Sequence, residues 1–173
     1  MSFAVALQAG KLGESSLARW FIRRRLNVLP AYEKEMNDYK GPQFYTAEGK
    51  FITPDLLVFN AEKIFWAEVK NKSAFSWHRN TQTWTTGIDL HHYEHYKRVR
   101  DISKWPVWLL FLQAGGKAKD SPADSPSGLY GGELEYLSAK ENHRSPNWGR
   151  HGMVYWAEET LKRIADYEDV INC

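Results

Sequence analysis

Two short apolar runs, Pro54–Phe59 and Ile64–Lys70, constrain this chain more than any other feature. Each has strand length, and in both runs the two alternating sets of side chains are apolar. Leu57, Phe59, Ile64 and Trp66 make one set, and Leu56, Val58, Phe65, Ala67 and Val69 make the other. Strands that are apolar on both faces belong inside a sheet covered on both sides. A tight turn around Ala61-Glu62 would pair Asn60 with Lys63 and, counting back, set Asp55 opposite Glu68. The Cβ atoms of such a pair lie roughly 4.5–5.5 Å apart. Ala-Glu lacks the Asn-Gly chemistry that tight hairpin turns favour. A one-residue slip would send the two acids to opposite faces. The register is therefore the fact on which the site depends.

Two like charges held face to face repel, which implies a cation between them. Strand alternation puts Lys70 on the face of Glu68, one step further along. Two carboxylates and a lysine converging at a sheet end suit a divalent metal acting on a phosphodiester. Mg²⁺ prefers oxygen ligands and keeps several waters, so two carboxylates suffice beside a substrate phosphate. Such an ion lowers the pKa of a bound water and neutralises charge growing on phosphate. A lysine suits the remaining task as a compact cation.

A length of 173 residues, 43% hydrophobic and 25% charged, fits one soluble domain over 1–173 with a sizeable core. The net charge of +2 permits nucleic-acid binding without demanding it. Basic residues cluster at Arg19, Arg23, Arg24 and Arg25, and again at Lys97, Arg98, Arg100 and Lys104. Each cluster reads as a solvated helix face or a phosphate contact. The single cysteine, Cys173, excludes an internal disulfide framework and fits a reducing compartment. No apolar run approaches membrane-spanning length. The first residues lack the basic start of a signal peptide, so a cytoplasmic location is expected.

Gly10–Gly13 is expected to break the start and Glu14–Leu26 to form a helix that carries Glu14 on or beside its inward stripe. Pro30 should end that region, and a polar stretch to Gly41 leads to a strand at Gln43–Thr46. The segment 71–87 reads as a long loop whose Lys72, Trp77, His78 and Arg79 suit gripping a nucleic-acid strand. A helix at Ile88–Ser103, a buried strand at Pro106–Leu112 and a mobile loop at Ala114–Gly128 follow. Gly132–Leu137 and Gly152–Trp156 look like a closing strand pair, and Glu158–Tyr167 like a final helix. The order predicts an α/β fold, a central mixed sheet flanked by helices.

Pro54-Asp55 followed by Glu68-Val69-Lys70 resembles the PD-(D/E)xK nuclease superfamily over roughly Gly13 to Gln113. The resemblance implies the restriction-endonuclease-like core, α-β-β-β-α-β, here with a C-terminal strand pair and helix. It implies Mg²⁺, with Mn²⁺ able to substitute, held by Asp55, Glu68 and the Val69 carbonyl. Lys70 would position the attacking water or stabilise charge on the phosphate. Glu14 resembles the acid that many members carry on their first helix as an extra ligand. Some members place a Gln and a Tyr one turn apart on the helix after the motif. The corresponding pair here is His92 and Tyr96, a departure at the first position.

The implied substrate is DNA, with RNA left open, no membrane partner, and a homodimer where one site per chain must cut a duplex. A rival pattern is His91-His92-Tyr93-Glu94-His95, which fits H-x-x-E-H letter for letter. On a helix, His91 and His95 could bind Zn²⁺ with Glu94 as general base, given a third ligand among Glu158, Glu159 or Glu168. A catalytically silent nucleic-acid-binding protein on the same fold is the third reading.

Overall fold

The computed structural model describes residues 3–31, 42–149 and 151–173, with 3–10 described by backbone alone. The polar stretch expected before Gly41 lies mostly outside the described residues. In chain order the elements are α1 (Phe3–Arg23), β1 (Asn27–Pro30), β2 (Gln43–Thr46), β3 (Gly49–Ile52), β4 (Leu56–Phe59) and β5 (Ile64–Lys72). Next come β6 (Ser76–His78), β7 (Thr83–Asp89), α2 (Leu90–Ser103), β8 (Val107–Gln113), β9 (Gly116–Lys117) and β10 (Asp124–Ser125). The chain closes with β11 (Gly128–Glu133), α3 (Leu134–Ser138), β12 (His143–Ser145), β13 (Met153–Ala157), β14 (Lys162–Ala165) and α4 (Tyr167–Ile171).

The central sheet runs β1-β4-β5-β8-β11-β14. Only β5 and β8 pair in parallel, so the chain must cross over between them, which it does through β6, β7 and α2. The hairpin register is the one expected: Phe59 opposes Ile64, Leu57 opposes Trp66 and Leu56 opposes Ala67. Its turn closes on Asn60, whose N–H donates to the Lys63 carbonyl at 2.9 Å. The Asn60 side-chain oxygen accepts from the N–H groups of Glu62 and Lys63. Asn60 thus supplies the local chemistry that Ala-Glu lacks.

Both faces of the sheet are covered. Leu17, Trp20 and Phe21 of α1 pack with Val170 of α4 on Leu56, Val58, Ala67, Val69, Leu110 and Leu112. Tyr93, Tyr96 and Val99 of α2 pack with Trp156 and Leu137 on Trp66, Val107, Leu109 and Phe111. Alternation along β8 sends odd-numbered residues to α2 and even-numbered ones to α1. The second sheet, β12-β13-β7-β6, lies on the α2 side, and β2 and β3 form a separate hairpin.

Several expected elements differ. The first helix continues N-terminally through Gly10 and Gly13. At Gly13 the glycine serves packing, because a Cβ there would stand 2.7 Å from the Cβ of Asn71. Pro30 ends an edge strand, where its missing N–H costs no ladder bond. Residues 71–87 are not a loop: β5 extends to Lys72 and a hairpin, β6–β7, follows with Trp77 opposite Trp84. That hairpin carries the chain into α2, which starts at Leu90 with the Asp89 carboxylate capping the His91 N–H. Within Ala114–Gly128 lies the short ribbon of β9 and β10.

Gly132–Leu137 divides between the end of β11 and α3, whose Leu134 and Leu137 share one buried side. β11 and β13 join different sheets, so they do not form a pair. Glu158–Tyr167 is a short 3₁₀ turn, Glu158–Thr160, followed by β14. Pairing with the free edge of β11 outweighs the local helical spacing there. Among the described residues, no helix is long and apolar enough to cross a membrane.

Candidate active site

The site forms where β4 ends and β5 continues. Past Ala67, β5 has no β4 residue to pair with, and Asp55 takes over the edge. Its Oδ2 accepts the Val69 N–H at 2.8 Å, while its backbone carbonyl accepts the Ala31 N–H at 2.8 Å. Asp55 is thereby fixed from two sides. The N–H and C=O of an extended residue point to the same strand edge. The Val69 carbonyl is therefore aimed into the gap that Asp55 borders.

Glu68 is 1% exposed and ion-paired to Lys70, whose side chain remains 30% exposed. Beyond that ion pair, neither Glu68 oxygen has a hydrogen-bond partner. Buried carboxylate oxygens in that condition are costly and call for a cation or further donors. Burial, and next the charge of Glu68, hold the Asp55 carboxyl well above the usual carboxylate range. The Lys70 ammonium is opposed by burial, but Glu68 and Asp55 outweigh that and raise its pKa. In the metal-free site Lys70 is therefore held as a cation.

Glu14 reaches this cluster from α1, across the close approach at Gly13 and Asn71. Burial, and then Glu68, raise its pKa. From α2 come His92 and Tyr96, with ring centroids 6.0 Å apart. Burial and the neighbouring Lys70 lower the His92 pKa, leaving a neutral imidazole. Tyr96 is fully buried against Glu68, and burial first, then that carboxylate, keep it a neutral phenol. Lys72 continues the face of Glu68 and Lys70, with its pKa lowered by burial and by Lys70.

Asp55, Glu68, Lys70, Glu14, His92 and Tyr96 thus form one electrostatically coupled group. Among the described residues, no three His, Cys, Asp or Glu side chains form a ready cage for an ion. Two carboxylates, with the Glu68 oxygens short of hydrogen-bond donors, and one backbone carbonyl instead match the sparse set that Mg²⁺ accepts.

Trp77, His78 and Arg79 lie elsewhere. They belong to the β6–β7 hairpin or its turn and line a cavity of about 430 Å³ together with His143, Tyr155 and Trp148. Asp55, Glu68 and Lys70 do not line it. No sequence signal links His143 and Tyr155 to His78, because only the β12–β13 register makes His143 face Tyr155.

The zinc arrangement is not assembled. The His91 and His95 rings stand 4.3 Å apart, but the Ile52 N–H donates to His95 Nδ1 at 2.8 Å. The hydrogen of the neutral ring is then on Nε2, and no lone pair is left for a metal. Glu94 is exposed and pairs with Lys97 at 3.2 Å.

No protein-family model matches this sequence, and no curated protein matches it. Among solved structures the chain is similar to Hjc from Archaeoglobus fulgidus, a Holliday junction resolvase from an archaeal hyperthermophile. That similarity has a TM-score of 0.52 at 8% identity and covers 87% of this chain and 90% of that one. A nuclease from a fusellovirus aligns at a TM-score of 0.44 and 11% identity, over 94% of this chain and 88% of that one. The mixed sheet and its flanking helices have the restriction-endonuclease-like fold.

Proposed function

We propose that this chain is a divalent-metal-dependent nuclease that hydrolyses phosphodiester bonds in DNA. The observation that carries this reading is the convergence of Asp55, Glu68, the Val69 carbonyl and Lys70 at one strand end of a nuclease fold. Among the solved structures it resembles is a Holliday junction resolvase, and the shared fold suits that chemistry.

Asp55, Glu68 and the Val69 carbonyl would hold Mg²⁺ or Mn²⁺, with Glu14 close enough electrostatically to add to the negative field. When bound, such an ion would activate water and neutralise charge building on the scissile phosphate. Lys70 presents its cation at the mouth of the site, where it can stabilise that charge as it develops. Interactions that strengthen toward the transition state are the ones that accelerate the step. Tyr96, buried against Glu68, backs its carboxylate from the core side. Neutral His92 can hydrogen-bond a phosphate oxygen without competing for the acids. Lys72, one step beyond Lys70 on the same face, would meet a flanking phosphate.

Incubation with labelled linear, circular, single-stranded and branched DNA, with Mg²⁺ or Mn²⁺ present, tests the reading. Metal-dependent cleavage of at least one substrate is expected. Intact DNA in every case would overturn it.

A further inference from the structure

The second sheet builds a cavity that the metal site does not use. Three rings form a column along it. His143 stacks on Tyr155, with centroids 4.5 Å apart and planes within 6°, and His78 stacks on His143 at 4.0 Å and 11°. Trp148 borders the same cavity and is 69% exposed. Arg79, its side chain 68% exposed and ion-paired to Asp120, stands there beside the exposed Lys119.

Parallel stacked imidazoles cannot aim their in-plane lone pairs at one ion, so this is not a metal site. One nitrogen of each is also committed, His78 Nδ1 with Thr81 Oγ1 at 2.7 Å and His143 Nδ1 with Asn142 Oδ1 at 2.8 Å. Burial, and the adjacent His78, lower the proton affinity of His143, so its ring stays neutral at neutral pH. A column of near-parallel rings accepts another planar ring as its next layer. A cation at the rim suits a phosphate attached to that ring.

We propose that this cavity binds an unpaired nucleobase of the substrate, stacked on the His78–His143–Tyr155 column and Trp148, with its phosphate on Arg79 and Lys119. The inference rests on the nuclease reading and narrows its substrate to DNA carrying a single-stranded segment beside the cleaved bond. A base inside a duplex is covered on both faces and would have to be extruded at a cost. A tail, flap or bubble presents it freely. Trp77 lies seven residues beyond Lys70, at most ~25 Å of extended chain, so a short strand can span both sites.

The test is binding in the presence of chelator, so that nothing is cut. Hairpin duplexes are compared, one blunt and others with 5′ or 3′ tails of about five nucleotides carrying a central 2-aminopurine. Tighter binding of a tailed hairpin than of the blunt one is expected, with quenching of the fluorophore as it stacks. Trp148→Ala and His78→Ala should each weaken tailed binding by about five- to a hundredfold, the range for losing one base stack. Blunt binding should be unchanged and Trp148→Phe should restore quenching. Trp148 is exposed, so its removal leaves the fold in place. Equal affinity for tailed and blunt hairpins, or quenching indifferent to both Ala variants, overturns the pocket alone. Failure to bind either hairpin, together with no Mg²⁺-dependent cleavage of any DNA, overturns the nuclease reading instead.

Discussion

Lys70 holds two relationships at once, an ion pair with a buried glutamate and an exposed face toward solvent. The pair balances the Glu68 charge, and the exposure makes the ammonium available to a phosphate. Lys70→Met removes the cation and leaves Glu68 free of a competitor, so Mn²⁺ affinity measured by calorimetry should not fall. Single-turnover cleavage should drop by about a hundredfold, comparable to losing one oxyanion donor. A near-normal rate would show that Lys70 is only a strand-end charge.

Asp55 makes a second prediction at this scale. Its carboxyl is held well above the usual range by burial and by Glu68, so the metal-free fold keeps a proton that the unfolded chain has released. That contribution is fully present below the unfolded value near 4 and is lost as pH rises through the folded pKa. Asp55→Asn keeps an acceptor for the Val69 N–H and removes the charge. In chelator, its melting temperature relative to the unsubstituted protein should therefore rise with pH. The stabilisation conferred by Mn²⁺ should disappear.

Among the elements, the approach of α1 to β5 brings Glu14 to the site. Gly13→Ala adds helix propensity worth up to ~1 kcal/mol. It also pushes a methyl into Asn71, and overpacking of that kind costs about 1–3 kcal/mol. Denaturant unfolding should show net destabilisation, and a more stable variant would mean that the helix can shift. The β2–β3 hairpin docks on α2 through the Ile52 N–H and His95. Burial, then His91 and His92, lower the His95 pKa, so the stability it confers is present above about 6.5 and is lost as pH falls below it. The hydrogen-exchange protection factor of the Ile52 amide should decline over that window and become flat in His95→Gln.

The β4–β5 hairpin was legible in the sequence because both sets of side chains are apolar, whereas the part the Asn60 side chain plays in the turn was not. Gly13 was misread, since a packing glycine and a helix-breaking glycine look alike until Asn71 is placed against it. The β6–β7 hairpin was hidden by its Ser, Thr and Asn content. Its strands exist because they pair with each other and with β13.

Across the whole molecule, a six-stranded sheet covered on both faces carries the acids on its α2 side, and α1 crosses the end of β5 from the other. Local spacing therefore brought Asp55, which precedes β4, together with Glu68 and Lys70 of the adjacent β5. It also placed His92 and Tyr96 one helical turn apart. It could not reveal the ring column, whose His78 reaches His143 and Tyr155 only through the long-range pairing of β7 with β13. The basic clusters turned out to be partly spent on internal partners. Arg24 sits 3.7 Å over the Trp20 ring, Arg19 donates to the Cys173 carbonyl, and Arg100 pairs with Asp101. Arg79 is likewise ion-paired, to Asp120, but it borders the ring column together with Lys119.

The central claim is that Asp55 and Glu68 hold the ion that cuts the phosphodiester. Single-turnover cleavage of end-labelled DNA by the unsubstituted protein, Asp55→Asn and Glu68→Gln, each in Mg²⁺ and in chelator, tests it most directly. Cleavage by the unsubstituted protein in Mg²⁺ alone is expected, with both variants folded and inactive. Cleavage that persists in chelator, or that survives in either folded variant at the unsubstituted rate, would contradict it.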